Sequence, residues 1–482
     1  MTDPQTDQPA LMAPASTGTR TKSKAKVRPP GRSRKGVRVQ PVIDPDAAGA
    51  DIGAREIVVC VPADRDDRPV RTFATFTADL HALADWLVAC RIRTIAMEST
   101  GMYWIALYQI LEIRGIEVRL VNARHVKHVP GRKSDVSDAQ WLQYLHSVGL
   151  LSGSFRPPQA ICAIRSLARH RDSLLAQAAD QVRHMQKCLD QMNLQIHHVI
   201  DDLTGATGMA ILEAIVAGER DPAVLAAHRD RRIKASPETV EKSLHGDWRR
   251  EHLLVLEMSL ATWRHLHAQI ERLDGDIAAR VRALDSKVVE GAQEAKPPIE
   301  GGRRRGRSVN APALGEALRE EFVRVIGIDL TAVPAIGILT VQSFVSEIGP
   351  DLGKFATAAA FVSWLGLCPG TKISGGKVLD ARSRKGKPRF ALLLRQAAQS
   401  LHGSRSALGA RYRRLRSRLG APQALTAMAH CLARIIYKLV TQQCAYDESI
   451  FDTMEAEHER RQHQRLARQA TAMGYSLTPA IP

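Results

Sequence analysis

The sequence predicts an α/β domain, then a long helical arm, then an all-α C-terminal domain. Short apolar runs alternate with helical spacings over residues 48–155, which is typical of an α/β layer with a mixed sheet. Apolar residues recur at intervals of three, four and seven over 159–200 and 248–284, which predicts two long amphipathic helices of coiled-coil character. Residues 314–445 look helical throughout, and an aromatic content of 5% does not favour a β-rich fold.

The strand and helix signals of the first domain begin with a hairpin. It joins Glu56–Pro62 to Val70–Phe76 through the polar turn Asp64–Arg68. The elements after it are predicted as helix Thr77–Arg91, strand Thr94–Met97, helix Gly101–Arg114 and strand Ile116–Val121. The segment DPDAAGA before Asp51 is poor strand material, so a first strand there is predicted to be short or frayed.

Composition and periodicity together divide the chain into six segments. They are a disordered basic tail at 1–47, the α/β domain at 48–155, the helical arm with an insert at 156–285, a basic linker at 286–313, the helical C-terminal domain at 314–450 and a charged tail at 451–482. The insert, residues 204–247, is polar and mostly helical and carries no motif that indicates its purpose. The two arm helices have two arrangements open to them, antiparallel packing within one chain or pairing between protomers.

The net charge of +18 is unevenly distributed along the chain. Residues 20–38 hold nine Lys/Arg and no acid, and residues 375–418 hold thirteen Lys/Arg against the single acid Asp380. Clustered positive charge of this kind indicates a polyanionic partner, usually nucleic acid. The alternative is an ordinary solvated surface with a basic tail.

Other features of composition narrow the class of protein. The seven cysteines lie far apart and form no CxxC pair, so neither a disulfide framework nor a zinc ribbon is expected. No run of 18 uninterrupted apolar residues is present, and the N-terminus has no apolar signal core, so we expect no membrane span and no secretion. A reducing cytoplasm fits these observations best.

Four acids of the first domain stand where the chemistry of phosphoryl transfer needs them. Asp51 precedes the first clear strand, Glu98 directly follows the strand Thr94–Met97, and Asp135 and Asp138 have the i, i+3 spacing of one helix face. Carboxylates converging in this way hold Mg²⁺, and a pair of such ions clamps the attacking and leaving oxygens of a phosphodiester. Taken singly, the same residues read as a turn former, a surface acid and an N-cap.

Several phrases of the sequence together carry a resemblance. They are AMESTGMYW and GRKSDVSDAQWLQYL in the first half, and VPAIGILTVQSFVSEIG, FVSWLGLCPGTKISGGK and SRKGKPRFALLLRQAA in the second. With them, the chain resembles the DEDD-type insertion-sequence transposases related to the Piv DNA invertase, over most of residues 48–200 and 320–445. The resemblance implies a ribonuclease-H-like (RuvC-like) N-terminal domain, a coiled-coil-like arm with an insert, and a serine-bearing, all-α C-terminal transposase domain.

The resemblance also implies a catalytic serine. In the family it follows a Gly-Leu-x-Pro run, which places it at Ser374, and the adjacent glycines would let a DNA backbone approach closely. Alone, Ser374 would be read as a loop serine in a Ser-Gly-Gly turn. The competing serines are Ser363, within an apolar helical run, and Ser383, among arginines. The activating group would be the carboxylate cluster with Mg²⁺.

Basic residues around Ser374 are expected to neutralise DNA phosphates. They are Lys377, Arg382, Arg384, Lys385, Lys387, Arg389 and Arg395. Val333–Gly337 resembles a helix-hairpin-helix turn in which Ala335 replaces the usual first glycine, so tight phosphate contact is not expected at that turn.

The predicted function is therefore that of a DNA transposase or site-specific recombinase that cuts and rejoins strands through a serine. Two alternatives are a metal-dependent RuvC-like junction nuclease that uses water, and a non-catalytic nucleic-acid-binding protein. The resemblance further implies donor and target DNA, a structured guide RNA, a homo-dimer or tetramer and a bacterial-type, nucleoid-associated location. If arms pair between protomers, Ser374 of one subunit would join the carboxylates of another.

Overall fold

A computed structural model describes residues 41–99, 101–122, 138–288, 312, 315–380, 382–383, 388–449 and 452–476. The chain divides into two compact units, Met1–Phe155 and Arg156–Pro482, and each is described by itself. Several predictions fall outside the described residues: the tail up to residue 40, most of the linker, and the side chains Asp135, Arg384, Lys385 and Lys387.

The first unit contains the predicted mixed sheet. Its strands are β1 (Ala47–Ile52), β2 (Glu56–Cys60), β3 (Val70–Ala74), β4 (Thr94–Glu98) and β5 (Glu117–Val121), and its helices are α1 (Thr77–Ala89), α2 (Trp104–Ile113) and α3 (Asp138–Ser147). The strand order is β3-β2-β1-β4-β5. The first three strands pair antiparallel, and β1, β4 and β5 run parallel. This arrangement is consistent with the predicted ribonuclease-H-like fold.

The prediction of a short or frayed first strand was wrong. β1 has six residues, lies at the centre of the sheet and is almost wholly buried. The small side chains of β1 are explained by helix α3, which packs directly on this strand. A Cβ placed on Gly49 would lie 2.5 Å from the Ala139 carbonyl oxygen and still closer to the Gln143 amide nitrogen, so only glycine fits there.

Helices cover both faces of the sheet. On one face, Ile95 and Met97 of β4 pack with Leu83 of α1 and Leu107 of α2 in the main core. On the other face, Ala96 of β4 and Val121 of β5 pack with three residues of α3, namely Trp141, Leu142 and Leu145. Because successive strand residues point to opposite faces, Gly49 and Asp51 lie on the α3 face with Ala96.

The second unit begins with the arm. Its helices α4 (Gln159–Gln191) and α8 (Arg250–Arg282) have 33 residues each, about 50 Å at 1.5 Å per residue. Near the middle of the arm Leu174 packs with Ile270, and towards one end Met185 and Leu189 share a cluster with Leu256, so the helices are antiparallel. Their apolar faces therefore pair within the chain. The sequence left open whether these faces pair within one chain or between protomers, and here they pair within the chain.

The insert between the arm helices forms a cap on the end of the arm. It contains α5 (Ala206–Val216), α6 (Pro222–Ala226) and α7 (Pro237–Ser243). The buried residues Ile211 and Ile215 of α5 join the same cluster as Met185, Leu189 and Leu256 of the arm. The insert thus covers apolar surface that the two arm helices would otherwise expose to water.

The rest of the second unit is helical apart from one β-hairpin. The helices are α9 (Gly315–Ile326), α10 (Ile338–Glu347), α11 (Ala358–Trp364), α12 (Arg389–Ser400), α13 (Ala407–Leu419), α14 (Ala421–Gln442) and α15 (Asp452–Ala472). The hairpin consists of β6 (Lys372–Ser374) and β7 (Lys377–Asp380). The prediction of an all-α domain was therefore wrong at these two strands. The Gly-Gly turn between them allows the chain to reverse direction and the two strands to pair.

One helix of the described residues, α14, is long and apolar enough by length and composition to cross a membrane. Its residues Met428, Leu432 and Ile436 are buried within the unit. A packed core helix passes the same test of length and composition, so the test alone carries little weight.

Candidate active site

Asp51 and Glu98 occupy matching positions on neighbouring parallel strands. Ala50 of β1 pairs with Met97 of β4, so the next residues along the two strands are Asp51 and Glu98. Glu98 itself pairs with Val121, whose side chain packs on the α3 face. Both acids therefore lie on that face, directly after the last residue pair of two strands whose usual spacing is about 4.8 Å. Both side chains are half-buried.

Asp138 reaches the same face of the sheet from a different direction. It is the first residue of α3, and the next residue, Ala139, is buried against Gly49 two positions before Asp51. Sheet and helix thus bring Asp51, Glu98 and Asp138 to one side of the unit. The fourth predicted acid, Asp135, lies outside the described residues.

The donor chemistry of these acids suits a hard divalent cation. Mg²⁺ is commonly bound by one or two carboxylates, with substrate phosphate and water completing its shell, so the pair Asp51 and Glu98 already provides a sufficient protein contribution. Within the part of the chain that the structure describes, no group of three or more His, Cys, Asp or Glu is arranged to hold a metal ion. A larger ligand set would need Asp135 or substrate oxygens.

Ser374 lies at the tip of the β6–β7 hairpin. It pairs with Lys377 across the two-residue turn Gly375–Gly376, whose φ angles are +54° and +77°. Positive φ at both turn residues defines the type I′ turn, which strongly favours glycine. The turn presents Ser374 to solvent, and its hydroxyl makes no hydrogen bond to any described residue. Among the described residues, none is therefore placed to accept the proton of this hydroxyl.

The hairpin carries exposed apolar side chains beside the serine. Ile373, Val378 and Leu379 are 64%, 59% and 68% exposed. The base of the hairpin is closed by the Gly370 amide, which donates to the Arg382 carbonyl oxygen at 2.8 Å. The ribbon is held at its base and is free of packing at its tip, so it can approach a partner surface.

The two competing serines have different surroundings. Ser363 is half-buried within α11, and Ser383 is exposed where it bridges to Pro369 beside the hairpin. Neither is flanked by glycines in a turn. Of the three serines, Ser374 is the one that lies beside a glycine turn.

Two of the four described basic residues near the serine are already in ion pairs. Arg382 binds Asp380 at 3.2 Å, and Arg389, the first residue of α12, binds Asp172 of the arm at 2.7 Å. Burial raises the pKa of the Asp172 carboxyl, and Arg389 acts in the opposite direction. Lys377 is exposed and Arg395 is half-buried, and neither forms an ion pair with a described residue.

Sequence reasoning missed the joint between the arm and α10. Glu347 accepts two hydrogen bonds from Arg169, at 2.9 and 2.8 Å, while Arg165 donates to the Glu347 carbonyl oxygen. Close by, a cavity of about 280 Å³ lies between α4, α10 and α12. The arginines at i and i+4 are the only sequence signal of this joint, and such spacing is also common on solvated helix faces.

Ala335, in the turn before α10, has a left-handed backbone that glycine would adopt without strain. Its φ is +73°, a region that disfavours residues with a Cβ by about 1–2 kcal/mol. We expect Ala335→Gly to raise the free energy of unfolding by up to about 1 kcal/mol, because relief of strain exceeds the added freedom of the unfolded chain. Denaturant titration measures this change. Ala332→Gly, at the end of a 3₁₀ turn, serves as the control and should destabilise.

Comparisons with known proteins agree with this layout. A family model described as a transposase, of the DEDD type of IS110, matches residues 48–194. A second, described as the transposase IS116/IS110/IS902 family, matches residues 329–413, which include Ser374 and the hairpin. Comparison with curated proteins found no match. The first model covers the sheet with its acids and the second covers Ser374, and the chain is a DNA transposase of the IS110 family.

Proposed function

We propose that this transposase cuts and rejoins DNA with Ser374 as the nucleophile and Mg²⁺ held by Asp51, Glu98, Asp135 and Asp138. The observation that carries the proposal is the shared register of Asp51 and Glu98 on one face of the sheet. The DEDD-type domain indicates use of a divalent metal, and magnesium suits its oxygen ligands. The exposed position of Ser374 on a glycine turn supports its role.

The proposed reaction conserves the energy of the broken bond. The Ser374 oxygen bonds to phosphorus, the bond from phosphorus to a deoxyribose oxygen breaks, and that oxygen leaves as a hydroxyl carrying the serine proton. The product is a phosphodiester between serine and DNA, which a hydroxyl of another strand can attack in reverse. When bound, Mg²⁺ neutralises the negative charge on the phosphate oxygens. Lys377 and Arg395 provide further positive charge from the protein.

The proposal extends to partners. The positive charge of the C-terminal unit supports contact with donor and target DNA. A structured guide RNA, a homo-dimer or tetramer and a nucleoid-associated location are part of the same proposal and rest on the family resemblance. The six-segment division of the chain is proposed on the same footing.

Covalent trapping tests the serine. Labelled donor DNA is incubated with the protein and Mg²⁺, the protein is denatured, and the adduct is located by mass spectrometry. We expect an adduct at Ser374 that is absent from Ser374→Ala and retained in Ser363→Ala and Ser383→Ala. Asp51→Asn should lose the adduct while binding DNA as the wild type does, and the exposed Asp64→Asn should behave as wild type.

Each contrary outcome favours a named alternative. An adduct at a different serine would overturn the assignment of Ser374. Cleavage without any adduct would favour a nuclease that uses water. DNA binding with neither cleavage nor adduct, under conditions that support transposition, would favour a non-catalytic binding protein.

A further inference from the structure

A second basic surface lies away from the hairpin, on the helices α13 and α14. A groove of about 580 Å³ runs between them, and Ala358 at the start of α11 lines one side. Arg411 of α13 and Arg434 and Lys438 of α14 line it, and no acidic residue does. We call these three cations and the space between them the α13–α14 groove.

In the α13–α14 groove Arg434 and Lys438 are exposed and Arg411 is half-buried, and the three contrast with several arginines of this unit that carboxylates neutralise. Arg171 is neutralised by Asp274, Arg169 by Glu347 and Arg389 by Asp172. Arg411, Arg434 and Lys438 form no ion pair or hydrogen bond through their side chains with any described residue. No structural joint in the described chain therefore explains the three charges.

The surrounding sequence adds to this positive charge. Residues 381–446 contain fourteen Lys/Arg and no Asp or Glu. Three uncompensated cations beside one groove repel one another, and a polyanion in the groove would reverse that repulsion. Charge complementarity therefore indicates a negatively charged occupant.

The geometry of the groove suits an extended anion. Arg434 and Lys438 are one helical turn apart on α14, about 6 Å along its axis, and Arg411 faces them from α13. Cys431 of α14 also lines the groove: burial raises the pKa of its thiol, and Arg411 and Arg434 both act to lower it. Arg434 and Lys438 thus form a short row of positive charge along α14, and Arg411 faces that row from α13.

The lining of the groove favours a sugar–phosphate backbone over stacked bases. It includes the small or aliphatic residues Ala358, Ala427 and Ile435. Two ring-bearing residues line the groove, His430 and Tyr437, and both are half-buried. Tyr437 donates its hydroxyl to the Phe355 carbonyl oxygen at 2.7 Å, and its ring packs on Phe361. Binding of unpaired bases usually depends on exposed aromatic rings, and neither ring of this lining is fully exposed.

We propose that the α13–α14 groove holds the phosphate backbone of duplex DNA, as a contact separate from the one at Ser374. The inference rests on the proposed function insofar as DNA is the substrate, and it adds a place where the duplex is held. Duplex DNA is the occupant chosen because a transposase acts on DNA and because the groove has charge without a stacking platform. Such contacts position DNA without reading its sequence.

The salt dependence of binding tests the groove. Binding of the full chain to a labelled duplex oligonucleotide is measured by fluorescence anisotropy over a series of salt concentrations. The logarithm of the binding constant falls with the logarithm of the salt concentration, and each lost phosphate contact makes this slope less steep by about 0.9. The double variant Arg434→Gln with Lys438→Gln should therefore make it less steep by about 1.8. We expect affinity at moderate salt to fall by about tenfold or more. Arg411→Gln alone should reduce the slope by about 0.9.

A matched control removes two exposed lysines of the insert. Lys234→Gln with Lys242→Gln changes the net charge equally, at exposed side chains that have no partner among the described residues. It should leave the slope close to that of the wild type. Melting temperatures of all variants establish that they are folded.

The outcomes separate the groove from the proposed chemistry. An unchanged slope in both groove variants overturns the inference, as does a control that loses as much as they do. A loss confined to a structured RNA of equal length, with duplex binding intact, also overturns it. If the slope falls as expected but wild-type protein forms no serine adduct, the groove stands and the proposed function fails.

Discussion

Gly49→Ala is expected to destabilise the first unit by about 2–3 kcal/mol, although it adds a single methyl group. The added carbon would meet backbone atoms of Ala139 and Gln143 on α3, and backbone cannot move aside as a flexible side chain can. Overpacking of this kind typically costs about 1–3 kcal/mol. Because α3 begins with Asp138, a displaced helix would also move that carboxylate relative to Asp51.

The expected measurement is a melting transition of the first unit lowered by roughly 10 °C. Gly275→Ala is the matched control, because the same substitution in the middle of α8 meets no atom within 4 Å and should stabilise by about 0.5–1 kcal/mol. Equal effects of the two substitutions would show that α3 does not pack closely on β1. Loss of the serine adduct in Gly49→Ala below its melting temperature would link this packing to the carboxylates.

Asp274→Ala is expected to destabilise the second unit by about 3–5 kcal/mol. Asp274 of α8 and Arg171 of α4 are 3% and 2% exposed, and two hydrogen bonds join them, at 2.5 and 3.2 Å. Removing one partner leaves the other charge buried without compensation, which accounts for the size of the effect. Denaturant unfolding of the full chain measures it.

Two further variants make this prediction specific. Asp180→Ala breaks an ion pair with Arg183 on the same helix, and because both side chains are more than half exposed the loss should stay below about 1 kcal/mol. Replacing both buried partners, Arg171→Met with Asp274→Leu, should recover most of the stability lost in Asp274→Ala. A double variant as unstable as the single one would mean that packing, and not the unpaired charge, explains the loss.

Much of the fold could be predicted because its elements have strong periodic signals. The second arm helix lies within two residues of the predicted run 248–284, and the first begins at residue 159 as predicted but ends at Gln191, nine residues before 200. The strands from Glu56 to Val121 follow the alternation of the sequence. β1 could not be predicted in the same way. Its alanines and Gly49 are selected by the approach of α3, a contact that lies about ninety residues away in the chain.

The candidate site, like the fold, could be predicted from the sequence only in part. The acids could be named from the sequence, but their relation depends on the parallel pairing of β1 with β4, which sets Asp51 beside Glu98. The hairpin around Ser374 was missed because its strands have only three and four residues, fewer than a periodic pattern needs. The ion pairs of Arg382 and Arg389 were not predicted from the sequence either. The partner of Arg389, Asp172, is 217 positions away in the chain.

The hairpin that carries Ser374 has a consequence for motion. Its two strands pair only with each other, and an isolated two-stranded ribbon is marginally stable in water. Opening of such a ribbon requires little free energy compared with unfolding of the helices around it, so its amide hydrogens exchange with solvent on a short timescale. Ser374, the proposed nucleophile, would then acquire a fixed position only when a bound partner covers Ile373, Val378 and Leu379. The free energy of binding that partner would offset the conformational entropy that the ribbon loses when it becomes ordered. A weakly bound partner would therefore leave Ser374 disordered and unreactive.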